Sequence, residues 1–305
     1  MKNNSIKIRK SITPLNKIEK FILGSANFGT PYGTSNSSKK ISKTEIREIL
    51  DLAKQNKISQ IDTAFNYKNS EKLIGNFIKK KDFTIITKLP KIGKKISLVQ
   101  KSVLQSLKRL KRKQVYGVLV HSLEDLKSPN IKKIFLELEK LKNKKIIEKI
   151  GVSVYSEKNL TNIIKKYNID IVQFPASVFD LRFLKKNLFL RLKRKKIKIL
   201  TRSIFFQGII FLNKQVIMNK FGKHSKHIIK FKKDFNNDTN KMINYCLSFV
   251  ENFKHIDGII IGVNSSRELV QILNNSKIKI KIKNFNKYSI KSEKILKPYN
   301  WNKII

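Results

Sequence analysis

Four residues in the first half of the chain combine types that do acid–base chemistry: Asp62, Tyr67, Lys88 and His121. In the stretch QIDTAFNYKNSEKLIG, residues 60–75, the aspartate closes one run and the tyrosine stands just before a helical pattern opens at Asn69. A carboxylate, a phenol, an ammonium and an imidazole can between them hold, donate and accept protons. Taken singly, each has a plain structural role: a turn aspartate, a half-buried aromatic, a surface cation, a capping histidine. Their joint placement argues otherwise, because three consecutive candidate strands end in these groups in a chain with only 4 histidines.

Something must carry the four to one place. Short β-branched runs fall at 21–26, 58–64, 83–89, 115–122, 149–155, 169–175, 197–203 and 256–263. Between them, apolar residues at spacings of three and four predict helices over 44–55, 70–80, 98–110, 131–142, 157–167, 183–195, 242–253 and 267–275. Ser42 or Thr44 caps the first of these and Ser156 the fifth. Strand and helix alternate eight times without a shift in composition, which predicts an α/β protein: a (β/α)8 TIM barrel of residues 21–275 in a single domain. In such a barrel the strands' C-terminal ends share one mouth, and all four titratable groups sit at those ends.

Three segments lie outside the rhythm. Residues 1–20 form an N-terminal extension that could cap the barrel's bottom, and 276–305 form a basic tail carrying Tyr288, Tyr299 and Trp301. Residues 204–241 make an overlong connection after the seventh strand, of a length that often serves as a lid.

Composition limits the classes of function. With 67 Lys+Arg against 21 Asp+Glu the formal charge is +46, a field that attracts anions and weakly binds nucleic acid at low salt. The lysines are spread over nearly every helix, Lys, Ile and Asn are inflated together, and no aromatic-plus-glycine RNA motif occurs, so no specific nucleic-acid partner is expected. The only cysteine, Cys246, excludes an internal disulfide and a cysteine-based metal cluster. His224 and His227 could share a helical face but lack a third ligand, so no metal is expected. No run of 18 apolar residues occurs and the start has no apolar signal core, which predicts a protein without membrane attachment, in the cytoplasm. The Asn36 acceptor for glycosylation is then irrelevant.

From about Lys20 to Asn275 the chain resembles the aldo-keto reductase superfamily. The motifs are LGSANFGTPYG (23–33), IDTAFNYKNSEKLIG (61–75), ITKLP (86–90), LVHS (119–122), IGVSVYS (150–156), DIVQFP (170–175), RSIFFQG (202–208) and IDGIIIGVNSS (256–266). The resemblance implies an NAD(P)H-dependent carbonyl reductase with Tyr67 as general acid. Hydride transfer to a carbonyl carbon leaves negative charge on oxygen, which must be stabilised and protonated. A free phenol titrates near ~10, too high for ready transfer at neutral pH. An ammonium beside it favours the phenolate, the role expected of Lys88, while Asp62 keeps that ammonium charged and aimed. His121 can donate a hydrogen bond to the substrate oxygen.

The same resemblance implies a cofactor site. Ser153 and Gln173 match the residues that hold the nicotinamide carboxamide, although Val154 replaces an asparagine usual after that serine. Arg202 stands where many members stack an aromatic on the nicotinamide, and its planar guanidinium can stack too. Ser203, Phe205, Gln207 and Gly208 would follow the pyrophosphate, and Gly24 and Asn27 would line the same mouth. After the eighth strand, Gly262, Asn264, Ser265 and Arg267 open a helix whose amides could hold a phosphate, which favours NADPH, with NADH as the alternative. The family's further arginine and Glu-Asn pair are not plainly matched; Glu268, Gln271 and Ile272 stand near those places.

The mouth reads as apolar at Phe28, Phe65 and Phe179 and polar at Tyr32 and Tyr155, compatible with a small-molecule substrate: a sugar-derived or small aromatic aldehyde or ketone. Two other classes share the sequence features: a non-catalytic NADP(H)-binding regulatory subunit, and a basic nucleic-acid-binding scaffold with a relict site. Oligomeric state is not legible.

Overall fold

The structure is a computed structural model, and it describes residues 20–29, 40–79 and 81–303. Tyr32, Asn36 and all of the N-terminal extension except Lys20 lie outside the described residues. Eight parallel strands, β1 (Phe21–Gly24), β2 (Gln60–Asp62), β3 (Thr84–Lys88), β4 (Val115–Val120), β5 (Ile147–Ser153), β6 (Ile171–Pro175), β7 (Lys198–Arg202) and β8 (Gly258–Gly262), pair in chain order. The barrel closes when β8 pairs with β1, with Leu23 opposite Ile261 and Gly24 opposite Gly262. Around it run α1 (Ala26–Gly29), α2 (Lys43–Gln55), α3 (Ser70–Phe77), α4 (Leu98–Leu110), α5 (Ile131–Asn143), α6 (Glu157–Lys166), α7 (Lys186–Arg194), α8 (Lys214–Phe221), α9 (Lys226–Asp234), α10 (Thr239–Glu251), α11 (Ser266–Ser276) and α12 (Glu293–Leu296). The expected eight strands and eight helices all form.

Local chemistry explains the boundaries. Ser42 caps α2 by accepting from the Glu45 amide at 3.1 Å, and Ser156 caps α6 from the Asn159 amide. Helix α7 starts later than its apolar pattern because Phe183 leaves the helix to stack on Phe174, with ring centroids 4.7 Å apart. Helix α10 starts earlier because Asp238 caps it, accepting from the Lys241 amide at 3.1 Å.

Alternation along each strand divides the apolar residues between two cores. Ile22, Ile86, Leu119, Ile171, Leu200 and Ile260 plug the barrel interior. The remaining buried apolar strand residues, such as Leu23, Ile61, Val118 and Val172, belong to the larger outer core against the helices. Each fully buried Ile or Leu contributes about 1.5–3 kcal/mol, so the rim rests on a stiff plug.

The connection after β7 is not a plain loop. It folds into a short helical turn (Phe206–Phe211), then α8 and α9, and buries Ile217, Phe221, Ile228 and Phe231 in the outer core. The tail packs onto it. Trp301 sits edge-on to Phe206 and Phe221 at 5.7 and 5.4 Å, and its indole Nε1 donates to the Ile295 carbonyl at 2.8 Å. Tyr288 meets Phe231 edge-on at 5.0 Å and donates to Asp234 at 2.9 Å. Cys246 lies buried within α10.

Candidate active site

The plug dictates where the chemistry goes. Side chains two apart on a strand share a face, so the residue two positions after each plug residue points inward at the rim. Ile86 is followed by Lys88, Leu119 by His121, Ile171 by Gln173, Leu200 by Arg202, Ile22 by Gly24 and Ile260 by Gly262. On β2 the corresponding pair is Gln60 and Asp62, and on β5 Gly151 and Ser153. Six strands thus deliver a charged or polar side chain to one ring.

Within that ring the buried groups form one chain of hydrogen bonds. Lys88 Nζ donates to Asp62 Oδ2 at 2.6 Å and to the Thr63 carbonyl at 2.8 Å. Asp62 Oδ1 accepts from Gln173 Nε2 at 2.7 Å, and Ser153 Oγ donates to Gln173 Oε1 at 3.3 Å. Lys88 is 1% exposed and Asp62 3%, so an ion pair at this depth holds only because further hydrogen bonds satisfy both partners. The Lys88 ammonium also faces the Tyr67 ring, 5.1 Å from its centroid.

Tyr67 rides on the β2–α3 loop, and sequence reasoning missed what clamps it. Glu71 is fully buried in the first turn of α3; its Oε1 accepts from Thr87 Oγ1 at 2.7 Å and its Oε2 from Arg109 Nη1 at 3.3 Å. Arg109 also donates to the Phe65 carbonyl at 3.2 Å and lies 4.3 Å from the Phe65 ring centroid. Ser70 Oγ bonds Ser25 Oγ at 2.8 Å and Thr63 Oγ1 at 3.2 Å. On the other side α1 comes so close that a Cβ on Gly29 would stand 1.8 Å from the Tyr67 carbonyl oxygen. The signal available beforehand was Glu71 on the apolar side of the α3 pattern, where a carboxylate needs a partner.

Electrostatics correct one expectation. The Tyr67 phenol is pushed above its usual value, first by burial and then by Asp62, and the cation that opposes this is Arg202. Lys88 faces the ring while ion-paired to the Asp62 carboxylate at 2.6 Å, and that carboxylate works against the phenolate. Burial pushes the Lys88 ammonium down, with Asp62 opposing through charge and hydrogen bond. Burial, then Lys88 and Arg202, lower the His121 imidazole to about 3, so His121 is neutral at physiological pH and keeps one N–H to donate. Arg202 donates to the Tyr155 hydroxyl at 3.0 Å and lies 4.2 Å from that ring's centroid. Tyr155 in turn meets Tyr299 of the tail edge-on at 5.5 Å.

A cleft of about 420 Å³ opens beside this ring. Asp62, Tyr67 and Arg202 line it from the ring, and Glu268, Gln271 and Ile272 line it from α11. Gly24, Ser203, Phe205, Gln207, Gly208, Gly262 and Asn264 line it as well. Ser203, Phe206, Gln207 and Gly208 have φ of 61°, 51°, 55° and 82°, a left-handed run that turns the segment after β7 along the cleft wall. At Gly262 a Cβ would meet nothing within 4 Å.

Other expectations change. Ser153 and Gln173 are buried behind Asp62 and do not line the cleft, because Asp62 claims the Gln173 amide. Phe28 and Phe179 belong to the outer core; Phe179 packs on Phe206 and Phe231 at 5.2 and 5.4 Å. Ser265 caps α11 through the Glu268 amide at 3.1 Å, and Arg267 is exposed outside the cleft. Two amides at this helix start are taken: Asn264 N donates to Glu268 Oε2 at 2.7 Å and Ser266 N to Glu45 Oε1. Asn27 Nδ2 donates to Asn264 Oδ1 at 2.7 Å and fixes that corner to α1.

No helix among the described residues is long and apolar enough to cross a membrane. No curated protein sequence is significantly similar to the chain. Among solved structures, the holo form of aldo-keto reductase AKR11C1 from Bacillus halodurans superposes with a TM-score of 0.66 at 16% identity, covering 88% of this chain and 90% of that one. The glycerol dehydrogenase AKR11B4 from Gluconobacter oxydans gives 0.66 at 20% identity, covering 90% of each chain. At such identities these likenesses bear on the fold. The model of the aldo/keto reductase family matches residues 20–293, and with that match over a (β/α)8 barrel the chain belongs to the aldo/keto reductase family of oxidoreductases.

Proposed function

We propose that this protein reduces an aldehyde or ketone to its alcohol, or runs the reverse oxidation, with a dihydronicotinamide dinucleotide as hydride donor and Tyr67 as proton donor. The fit of such a cofactor is supported by the cleft of about 420 Å³, lined by Tyr67 and Asp62 from the ring and by Ser203, Gln207 and Gly208 from the left-handed segment after β7. When bound, the dinucleotide supplies the hydride to the carbonyl carbon.

The chain's own groups serve the carbonyl oxygen. Burial keeps the Tyr67 hydroxyl protonated, so the donor is stocked at every working pH. As charge grows on the substrate oxygen, the proton moves from Tyr67 Oη to it, and Lys88 and Arg202 stabilise the phenolate left behind. Asp62, Thr63 and Gln173 keep Lys88 from moving. Neutral His121 donates its N–H to the same oxygen and orients the substrate. The observation that carries this reading is the buried Lys88–Asp62 pair under the Tyr67 ring beside the cleft.

The test is cofactor oxidation, followed by loss of dihydronicotinamide absorbance, across sugar, aliphatic and aromatic carbonyls. Tyr67→Phe should lower kcat about 10²–10⁴-fold while leaving dinucleotide affinity and melting temperature in place. Undiminished turnover in that variant would remove Tyr67 from the role. Tight dinucleotide binding without turnover on any carbonyl would point to a regulatory protein instead.

A further inference from the structure

Beside the cleft, helix α11 presents its first amides where a helix ordinarily attracts anions. This chain fills the position with its own carboxylates. Glu268 reaches back to the Asn264 amide at 2.7 Å and also approaches Asn264 Nδ2 at 3.3 Å. Glu45 of α2 accepts from the Ser266 amide, and Glu48 from Ser266 Oγ at 3.3 Å. Three acidic side chains therefore surround one helix start, and Glu268 lines the cleft itself. Arg267, a cation on the same turn, is exposed and lies outside the cleft.

The consequence follows from the cleft's lining. A dinucleotide whose reactive ring lies by Tyr67 leaves its adenosine half to the space between α10 and α11, lined by Thr239, Ile243, Glu268, Gln271 and Ile272. A ribose with a free 2′-hydroxyl can donate to a carboxylate there. A 2′-phosphate would meet the Glu268 and Glu45 charges and find the Asn264 and Ser266 amides already bonded, so it would lose two of the donors at this helix start and gain repulsion.

We infer that Glu268, supported by Glu45, makes this protein select NADH over NADPH, in spite of a net charge of +46 that draws both anions toward the surface. The inference rests on the dinucleotide reading above and reverses the preference expected from the sequence. It makes Glu268 a specificity-determining residue that acts on binding and not on the chemical step.

Direct binding separates this from the reading beneath it. Calorimetric titration of the purified chain with NADH, NADPH, ADP-ribose and 2′-phospho-ADP-ribose measures the adenosine end with and without the reactive ring. NADH should bind at least about tenfold more tightly than NADPH, roughly 1.4 kcal/mol, and the ribose pair should show the same order. Glu268→Gln, which keeps size and hydrogen-bonding capacity, should narrow that ratio several-fold by strengthening NADPH, and Glu45→Gln should narrow it less. Equal or tighter NADPH binding in the unmutated chain would overturn the inference, whatever the variants do. An unchanged ratio in a folded Glu268→Gln would also overturn it. If no dinucleotide binds, the cofactor reading itself falls, and this inference with it.

Discussion

On the β2–β4 side of the mouth, side chains hold side chains: Asp62 and Lys88 share a short hydrogen bond, Gln173 reaches across from β6 to Asp62, and Glu71, Arg109 and Ser70 tie down the loop that carries Tyr67. On the β7–β8 side the wall is made by backbone shape, a left-handed run from Ser203 to Gly208, and by carboxylates folded back on amides of their own chain. The first arrangement fixes a few atoms closely and tolerates little. The second sets the outline of a cleft. A reductase needs both, because proton transfer depends on fractions of an ångström while cofactor choice depends on charge.

The contrast can be broken by mutation. Lys88→Met should be the most damaging, since it leaves the Asp62 carboxylate buried without its cation; a loss of about 3–5 kcal/mol is expected in denaturant titration. Loss below ~1 kcal/mol, the range of exposed pairs, would mean that the pair is solvated and the β2–β4 side is not rigid. Next comes Gly29→Ala, whose Cβ would sit 1.8 Å from the Tyr67 carbonyl. It should cost about 1–3 kcal/mol by overpacking and lower kcat about 10²-fold by shifting the phenol. The same change at Gly262, where a Cβ meets nothing, should stay within about 0.5 kcal/mol, and equal effects at both positions would erase the distinction.

A further effect shows only on acidification. The unfolded His121 imidazole titrates near ~6.5 and the folded one near about 3, so between those values the unfolded chain binds more protons. Stability should therefore fall as pH drops from ~6.5 toward 3 and should be indifferent to His121 above that window. His121→Gln should flatten this part of the acid limb in a series of melts against pH. An identical limb in the variant would place the imidazole in solvent.

The fold was legible because alternation of β-branched and helical patterns is a local property, and eight repeats of it admit few closed arrangements. Asp62, Lys88, His121 and Arg202 were legible because each ends a strand whose inward face the plug residues mark. The loop clamp was not. Glu71 and Arg109 stand on different helices, and nothing in either local pattern says that the two meet. The helix start at α11 was half legible for a related reason: Ser265 signals its cap, but the Glu45 that occupies the Ser266 amide comes from the opposite end of the chain. The placement of Phe28 and Phe179 at the mouth was misjudged because motif position says little about which side of a turn an aromatic ring packs against.

Barrel closure also governs how the chain must be made. Strand β1 finds its β8 partner only after Gly262 has left the ribosome, so through most of synthesis its far edge has no ladder to join. Such long-range pairing is slow, and an unpaired edge is where nascent chains stick to one another. Lysines scattered on almost every helix give each incomplete chain the same strong charge, and mutual repulsion keeps two half-built barrels from completing each other.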